Sequence, residues 1–110
     1  MQHDDRASLL DILESARMIL TYVAGKTWDD FKDDTQCQDA VVRRFEIIGE
    51  AVGRISEDFK TKYPDIPWRE MKTMRNLVIH QYDSVDYSQI WATAQQDLPD
   101  LIPALGKIPL

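Results

Sequence analysis

The sequence predicts an all-α fold, an antiparallel bundle of four to five helices, on three observations. Apolar residues recur at helical spacing along almost the whole chain, and no stretch alternates apolar and polar residues with period two. Four glycines and five prolines are too few for a turn-rich β protein. With 110 residues and no internal linker or repeat, residues 1–110 are predicted to form a single domain.

The first predicted helix carries a continuous apolar stripe that ends shortly before a glycine. Asp4 or Asp5 can cap its start, and Gly25 can close its end. Residues 27–35 then offer a cap at Thr27 and one short helical turn. The stripe consists of Leu9, Ile12, Leu13, Ala16, Ile19, Leu20 and Val23.

A second long helix is predicted over residues 35–61, where apolar positions are spaced by four and three residues in turn. This spacing is typical of a helix packed lengthwise against its neighbours, and the helix should stop before Pro64. Its apolar positions are Val41, Phe45, Ile48, Val52, Ile55 and Phe59.

Two glycines interrupt this second helix in a way that predicts a close helix–helix contact. Each costs a helix interior up to about 1 kcal/mol relative to Ala. Gly49 and Gly53 lie four residues apart, so they share one edge and would permit close approach of another helix. Glu46 and Glu50 lie beside them, and Glu50 can pair with Arg54 along the helix.

Two further helices complete the predicted bundle. Pro67 suits the first turn of a helix that should end near Tyr82, and Asp86 is predicted to cap the last helix. Pro99 and Pro103 should then kink or restart that last helix. The inward-facing positions are Trp68, Met71, Met74 and Val78 in the first of these helices and Ile90, Trp91, Ala94 and Leu98 in the second.

Composition and charge exclude several functional classes. The net charge of −6 argues against coating nucleic acid by bulk electrostatics, although Arg69, Lys72 and Arg75 leave room for a local basic groove. Ordinary solvation is the simpler interpretation for most of the cations. No apolar run approaches the ~20 residues that cross a membrane, and the polar N-terminus is no secretory signal. Cys37 is the only cysteine and is expected to be partly buried, so an internal disulfide is impossible and a reducing cytoplasm fits. We also expect no metal site and no cofactor.

Residues 75–82, Arg-Asn-Leu-Val-Ile-His-Gln-Tyr, hold three side chains that can handle a phosphodiester. Arg75 carries a permanent planar cation that can hold phosphate through two hydrogen bonds. His80 is of the side-chain type that exchanges protons near neutral pH, and Tyr82 offers a phenol hydroxyl. On spacing alone, a helix-capping His80 and a carboxylate-paired Arg75 are the stronger interpretation.

On a straight helix these side chains do not point the same way. Arg75 and Tyr82 lie about 20° apart on the helix wheel, whereas Asn76 and His80 lie roughly 100° to 140° from Arg75. Either the helix ends or bends near His80, or a second copy of the chain completes the site. Metal-free RNA cleavage needs an acid and a base, yet the two histidines are His80 and the terminal His3, which favours a homodimer.

Several segments together resemble the HepT-like branch of the HEPN superfamily. The first is residues 39–51, Asp-Ala-Val-Val-Arg-Arg-Phe-Glu-Ile-Ile-Gly-Glu-Ala, and the second is residues 64–69, Pro-Asp-Ile-Pro-Trp-Arg. They are followed by residues 74–82, Met-Arg-Asn-Leu-Val-Ile-His-Gln-Tyr, and by Val-Asp at 85–86 and Asp-Leu-Pro at 97–99. The resemblance keeps this order over nearly the full length, which makes it specific where the octapeptide alone is not.

The resemblance implies an all-helical, usually dimeric, metal-independent ribonuclease. The family signature of arginine, a polar residue and a later histidine is matched by Arg75, Asn76 and His80, without departure. The HepT-like branch adds a tyrosine two residues after the histidine, matched by Tyr82. It also implies the toxin half of a type VII toxin–antitoxin pair. The antitoxin is a minimal nucleotidyltransferase of the MntA type, which transfers AMP to the tyrosine and silences the nuclease.

From the residues and the resemblance together, we predict a homodimeric endoribonuclease of HEPN type that cleaves tRNA or mRNA without metal or cofactor. Arg75, His80 and Asn76 are the predicted catalytic residues, and the expected product carries a 2′,3′-cyclic phosphate. Glu50 is a candidate to orient Arg75 or His80, with solvent exposure equally open, whereas exposure is the favoured interpretation for Glu46. The alternatives are a non-catalytic helical partner of a nucleotidyltransferase and a purely structural dimer.

Overall fold

A computed structural model of the protein describes residues 3–76 and 85–109, and every regular element in these ranges is helical. A π-helical turn, Thr93–Asp97, joins the last two helices. No described helix combines the length and apolarity that a membrane crossing requires. The helices are α1 (His3–Val23), α2 (Trp28–Lys32), α3 (Thr35–Arg54), α4 (Glu57–Lys62), α5 (Trp68–Thr73), α6 (Tyr87–Ala92) and α7 (Leu98–Gly106).

Helices α1 and α3 form the centre of the bundle and run antiparallel. The Cys37 thiol at the start of α3 donates to the Tyr22 carbonyl near the end of α1, at 3.6 Å. At the opposite end, the Arg54 guanidinium lies 3.3 Å from the Asp11 carboxylate. The predicted stripes form the core between them. The buried residues of the two helices include Leu9, Ile12, Leu13, Ala16, Ile19, Val23, Val41, Phe45, Ile48 and Val52, whereas Leu20 is half-buried.

The short connection between α1 and α3 has the turn chemistry that the sequence predicts. Gly25 has a φ of +74°, a conformation that glycine adopts without steric cost. The Thr27 hydroxyl accepts the Asp30 amide at 3.2 Å, and the Asp30 carboxylate accepts the Thr27 amide at 3.0 Å, which forms a capping box. Phe31 of α2 is buried with its ring 5.1 Å from that of Trp91, so α2 packs against the C-terminal part of the chain.

The prediction of one helix over residues 35–61 is wrong, because α3 ends at Arg54 and α4 begins afresh at Glu57. Ser56 stands between them in an extended conformation and caps α4 by accepting the Phe59 amide at 3.2 Å. Its own amide and hydroxyl both donate to the Asp5 carboxylate, each at 2.8 Å. The Ser56 amide is therefore withdrawn from the hydrogen bond that would continue α3.

Asp5 is therefore not the predicted cap of α1. It lies inside that helix, is only 2% exposed, and serves as the acceptor that ends α3 on the neighbouring helix. Asp4 is exposed in the first turn of α1, where a carboxylate interacts favourably with the helix dipole.

Helix α5 is oriented by the apolar side chains that the sequence assigns to its inner face. Trp68, Met71 and Met74 are buried, and the indole N–H of Trp68 donates to the Tyr63 carbonyl at 2.9 Å. The Trp68 ring also lies edge-on to Phe59, with centroids 6.1 Å apart. The predicted fourth position, Val78, and the predicted helix end near Tyr82 lie outside the described residues.

The C-terminal part of the chain is one helical rod with a local change of winding. The Asp86 carboxylate caps α6 as predicted, accepting the Ser88 and Gln89 amides at 3.1 and 3.3 Å. The π-helical turn ends just before Pro99, whose ring would otherwise crowd the carbonyl four residues earlier. Pro103 is accommodated inside α7 and does not restart the helix.

We predict that Asp5→Ala lowers the free energy of unfolding by about 2–3 kcal/mol, because it leaves the Ser56 amide and hydroxyl without their charged acceptor. Urea denaturation at a fixed protein concentration measures this. Asp4→Ala is the matched control, since it removes the same charge from the adjacent exposed position and should cost less than about 1 kcal/mol. Equal effects of the two substitutions would contradict a role for Asp5 in ending α3.

Candidate functional site

A groove of about 340 Å³ runs between the C-terminal half of α3 and the helix α5 with the residues that follow it. Three of the groove residues are cationic and one is a carboxylate, a local excess of positive charge on a chain whose net charge is −6. A groove of this sign attracts anions locally even on an acidic protein. The groove is lined by Gly49, Glu50, Gly53, Arg69, Lys72, Thr73, Arg75 and Asn76.

The three cations share the groove because of the spacing of α5. Arg69, Lys72 and Arg75 recur every third residue, and each follows a buried apolar residue by one position. Because one residue corresponds to about 100° of rotation in a helix, burial of the apolar stripe turns the cationic stripe outward. All three cations are accordingly exposed, as is the neighbouring Asn76.

Gly49 determines how closely the Arg75 backbone approaches α3. A Cβ built on Gly49 would lie 2.9 Å from the Arg75 amide nitrogen and 3.2 Å from its Cα. Since backbone atoms cannot move aside as a flexible side chain can, only glycine is compatible with this contact. The predicted close approach is therefore confirmed at Gly49, where the incoming segment begins with the arginine of the motif.

Gly53 does not make the close contact that the sequence predicts. A Cβ at this position would meet nothing within 4 Å, and Gly53 is exposed at the edge of the groove. Only the first glycine of the pair is therefore in close contact. Gly53 instead leaves that edge of the groove open.

The groove cations differ from half of the other ten basic residues in their pairing. Across residues 3–76 and 85–109, no carboxylate lies within 4 Å of the cationic groups of Arg69, Lys72 or Arg75. The expected Glu50–Arg54 pair is replaced by Arg54 with Asp11 of α1. Five basic residues of the described chain do have such partners, namely Lys26, Lys32, Arg43, Arg54 and Lys60.

The two glutamates of α3 have different surroundings. Glu50 is exposed and lines the groove together with Arg75, without approaching it to ion-pair distance. Glu46 is half-buried and lies 3.6 Å from Arg43 on the same helix. Because Arg43 is mostly exposed, this pair contributes little to stability.

Of the predicted site residues, Arg75, Asn76 and Glu50 line one groove, whereas His80 and Tyr82 lie outside the described residues. The predicted angular relations of His80 and Tyr82 to Arg75, and the composite site of two chains, stay predictions. The described residues add neighbours that the motif does not contain, above all Arg69 and Lys72. Their period of three with Arg75 was the available signal in the sequence, but it is indistinguishable from a solvated helix face until the groove is seen.

The other chemically distinctive positions do not compete with this groove. Cys37 is 8% exposed, and burial raises the pKa of its thiol, which disfavours the thiolate that a nucleophile requires. In the described part of the chain, no three His, Cys, Asp or Glu side chains are grouped so as to hold a metal ion. A second groove, of about 510 Å³, is lined by four carboxylates, those of Asp65, Glu70, Asp97 and Asp100.

The chain is similar in sequence to proteins named as ribonucleases. A family model described as "Ribonuclease HepT-like" matches residues 12–108. A protein of Thermococcus cleftensis named "Probable ribonuclease HepT" is 42% identical over 108 residues, which cover 98% of each chain. "Putative RNase MJ1380" of Methanocaldococcus jannaschii is 38% identical over 100 residues, 91% of this chain and 92% of that protein. No solved structure shows a significant match.

We predict opposite effects for alanine at the two glycines of α3. Gly49→Ala should lower the free energy of unfolding by about 1–3 kcal/mol, because the new Cβ overlaps the Arg75 backbone. Gly53→Ala, the matched control, should raise it by up to about 1 kcal/mol, because the helix gains propensity and the Cβ enters open space. Urea denaturation of both variants checks this, and a stabilised Gly49→Ala would contradict the close contact.

Proposed function

This chain belongs to the HepT-like ribonuclease family, and we propose that it is a metal-independent RNA endonuclease with its active site in the groove between α3 and α5. The observation that carries the proposal is the groove itself. Its exposed Arg75 and Asn76, the first two positions of the family motif, stand beside two further cations that have no carboxylate partner among residues 3–76 and 85–109. Such a groove suits a phosphodiester, whose charge demands cations that are not already neutralised.

Cleavage proceeds by attack of a ribose 2′-hydroxyl on the adjacent phosphorus. A base removes the hydroxyl proton, an acid protonates the departing 5′-oxygen, and a cation stabilises the extra negative charge of the phosphorane. The products are a 2′,3′-cyclic phosphate and a 5′-hydroxyl, with no net consumption of water. Acid–base catalysis contributes about 10²- to 10⁴-fold, and a preorganised cation contributes a comparable factor.

We assign these tasks to the residues of the motif. Arg75 stabilises the phosphorane, since its guanidinium can donate two parallel hydrogen bonds to phosphate oxygens. Its backbone is held against Gly49, which limits the positions that the guanidinium can reach. Asn76 orients the phosphate or His80, and His80 acts as acid or base. Glu50, exposed in the same groove, is assigned to orient Arg75 or His80.

The active enzyme is proposed to be a homodimer. Since one chain supplies a single motif histidine, two motifs brought together by a twofold axis supply both an acid and a base. The RNA substrate is tRNA or mRNA, and the enzyme works as the toxin of a type VII toxin–antitoxin pair.

Regulation is proposed to act on Tyr82. An MntA-like nucleotidyltransferase antitoxin transfers AMP to the phenol hydroxyl, which releases pyrophosphate from ATP. On a helix, Tyr82 would share a face with Arg75, so the added AMP would bring bulk and negative charge to the phosphate site. RNA would then be excluded by occupancy and by repulsion.

We predict that the purified protein cleaves RNA in the presence of EDTA and leaves 2′,3′-cyclic phosphate ends. His80→Ala and Arg75→Ala should each reduce the cleavage rate by at least about 10²-fold, because each removes a group that acts in the transition state. The matched control is Arg44→Ala, which removes an arginine that does not line the groove. Intact RNA with the wild-type protein, or equal cleavage by His80→Ala, would reject the nuclease and favour a non-catalytic binding partner.

We predict that incubation with the nucleotidyltransferase and ATP adds one AMP to each chain and abolishes cleavage. Mass spectrometry should locate the modification at Tyr82, and Tyr82→Phe should keep nuclease activity that the antitoxin cannot silence by AMP transfer. Tyr87→Phe is the matched control and should be modified and silenced like the wild type. Modification of the Tyr82→Phe variant would show that another residue is the acceptor.

A further inference from the structure

We propose that Arg69 and Lys72 form a separate binding subsite for the RNA backbone, which holds phosphates next to the one that is cleaved at Arg75. The proposal rests on the proposed function and names its substrate class as a polynucleotide strand. A mononucleotide or dinucleotide would leave this subsite unused. Neither residue belongs to the signature of Arg75, Asn76 and His80, although Arg69 ends one of the segments that resemble the family. The inference is argued from the groove that both residues line.

The first support is position. Arg69 and Lys72 line the groove that contains Arg75, and they also line an adjoining hollow of about 450 Å³ beside α4. They therefore stand on the ridge between two depressions, where a strand that leaves Arg75 can continue. Within α5, Arg69 and Lys72 are displaced by about 4.5 Å of axial rise. Arg75 follows two residues after the helix ends, so the three cations form a row and not a single cluster.

The second support is that both side chains are exposed and lack a carboxylate partner within 4 Å among the described residues. Lys60, which lines the adjoining hollow, is by contrast paired with Glu57 at 3.5 Å. A phosphate that reaches Arg69 or Lys72 therefore displaces none of the described carboxylates, and counterion release favours binding.

The third support is the negative charge on the opposite side of α5. The larger groove there is lined by Glu70 of α5 together with Asp65, Asp97 and Asp100, and it repels a polyanion. Helix α5 thus separates a cationic groove from an acidic one. Because the carboxylates of the acidic groove repel phosphates, the strand is confined to the side of α5 that carries Arg69 and Lys72.

The first experiment measures binding of a single-stranded, fully 2′-O-methylated oligonucleotide, which lacks the attacking hydroxyl and cannot be cleaved. The double variant Arg69→Gln/Lys72→Gln should bind at least about tenfold more weakly than the wild type at low salt. The slope of log K against log salt should fall by about 0.7 for each cation removed. In cleavage of a longer RNA, the loss should appear in KM more than in kcat.

The matched control is Arg6→Gln/Lys107→Gln, which removes one arginine and one lysine from exposed positions outside the groove. It changes net charge equally and should alter affinity by less than about twofold. Equal loss in the two double variants would overturn the subsite and leave only bulk charge. Wild-type cleavage with unchanged affinity in Arg69→Gln/Lys72→Gln would overturn it while the nuclease proposal stands. Binding that depends on these residues without any cleavage would support the subsite and reject the nuclease.

A second experiment tests the path of the strand without removing a cation. Gly53→Glu places a carboxylate at the groove edge, where an added Cβ meets nothing within 4 Å. Gly53→Gln is its control of nearly equal shape. Oligonucleotide affinity should fall at least about fivefold more with Glu than with Gln. Equal affinities, with both variants folded by circular dichroism, would show that the strand does not pass this edge.

Discussion

The contact of Gly49 with the Arg75 backbone is the constraint on which the site depends. It lets the segment after α5 lie directly on α3, so that the two walls of the groove belong to one packed unit. A side chain at residue 49 would separate the walls and displace the guanidinium. Glycine weakens the interior of α3, but it allows the Arg75 backbone to pack directly on the helix. The arginine is consequently carried by backbone that packing holds in place, which is what a preorganised cation requires.

The end of α3 at Arg54 also helps to form the groove, because it lets the chain turn back toward Gly49. Had α3 continued to residue 61, as its periodicity predicts, the chain would have run about 10 Å farther from Gly49 before it could turn. The Asp5 carboxylate instead takes the Ser56 amide and hydroxyl, and the chain reverses through α4. Phe59 and Trp68 then pack together, and α5 returns alongside the C-terminal half of α3. A buried carboxylate at the start of the chain thereby helps to position a groove formed much later in the sequence.

Local rules predicted most of the fold, and distant contacts account for what they missed. The stripes in α1 and α3, the Thr27 and Asp86 caps and the turn at Gly25 follow from neighbours a few residues apart. The end of α3 could not be predicted in this way, because its acceptor, Asp5, lies 51 residues from Ser56 in sequence. Likewise, the spacing of Gly49 and Gly53 indicates a close approach but not which glycine makes it. The motif singles out Arg75 and Asn76 as candidates, whereas Arg69 and Lys72 could not be distinguished from solvated charges until the groove was seen.

The charge distribution resolves the apparent conflict between an acidic chain and an anionic substrate. A net charge of −6 repels RNA from most of the surface, so non-specific adsorption is disfavoured. The cations of the groove lie along one side of α5, and carboxylates line the groove on its other side. In the proposed binding mode, a strand is attracted where it can run along the row of cations toward Arg75. If Tyr82 shares a helical face with Arg75, as its spacing predicts, AMP added there would introduce negative charge at the end of that row. The same segregation of charge that admits RNA to an acidic protein would then make one modification sufficient to exclude it.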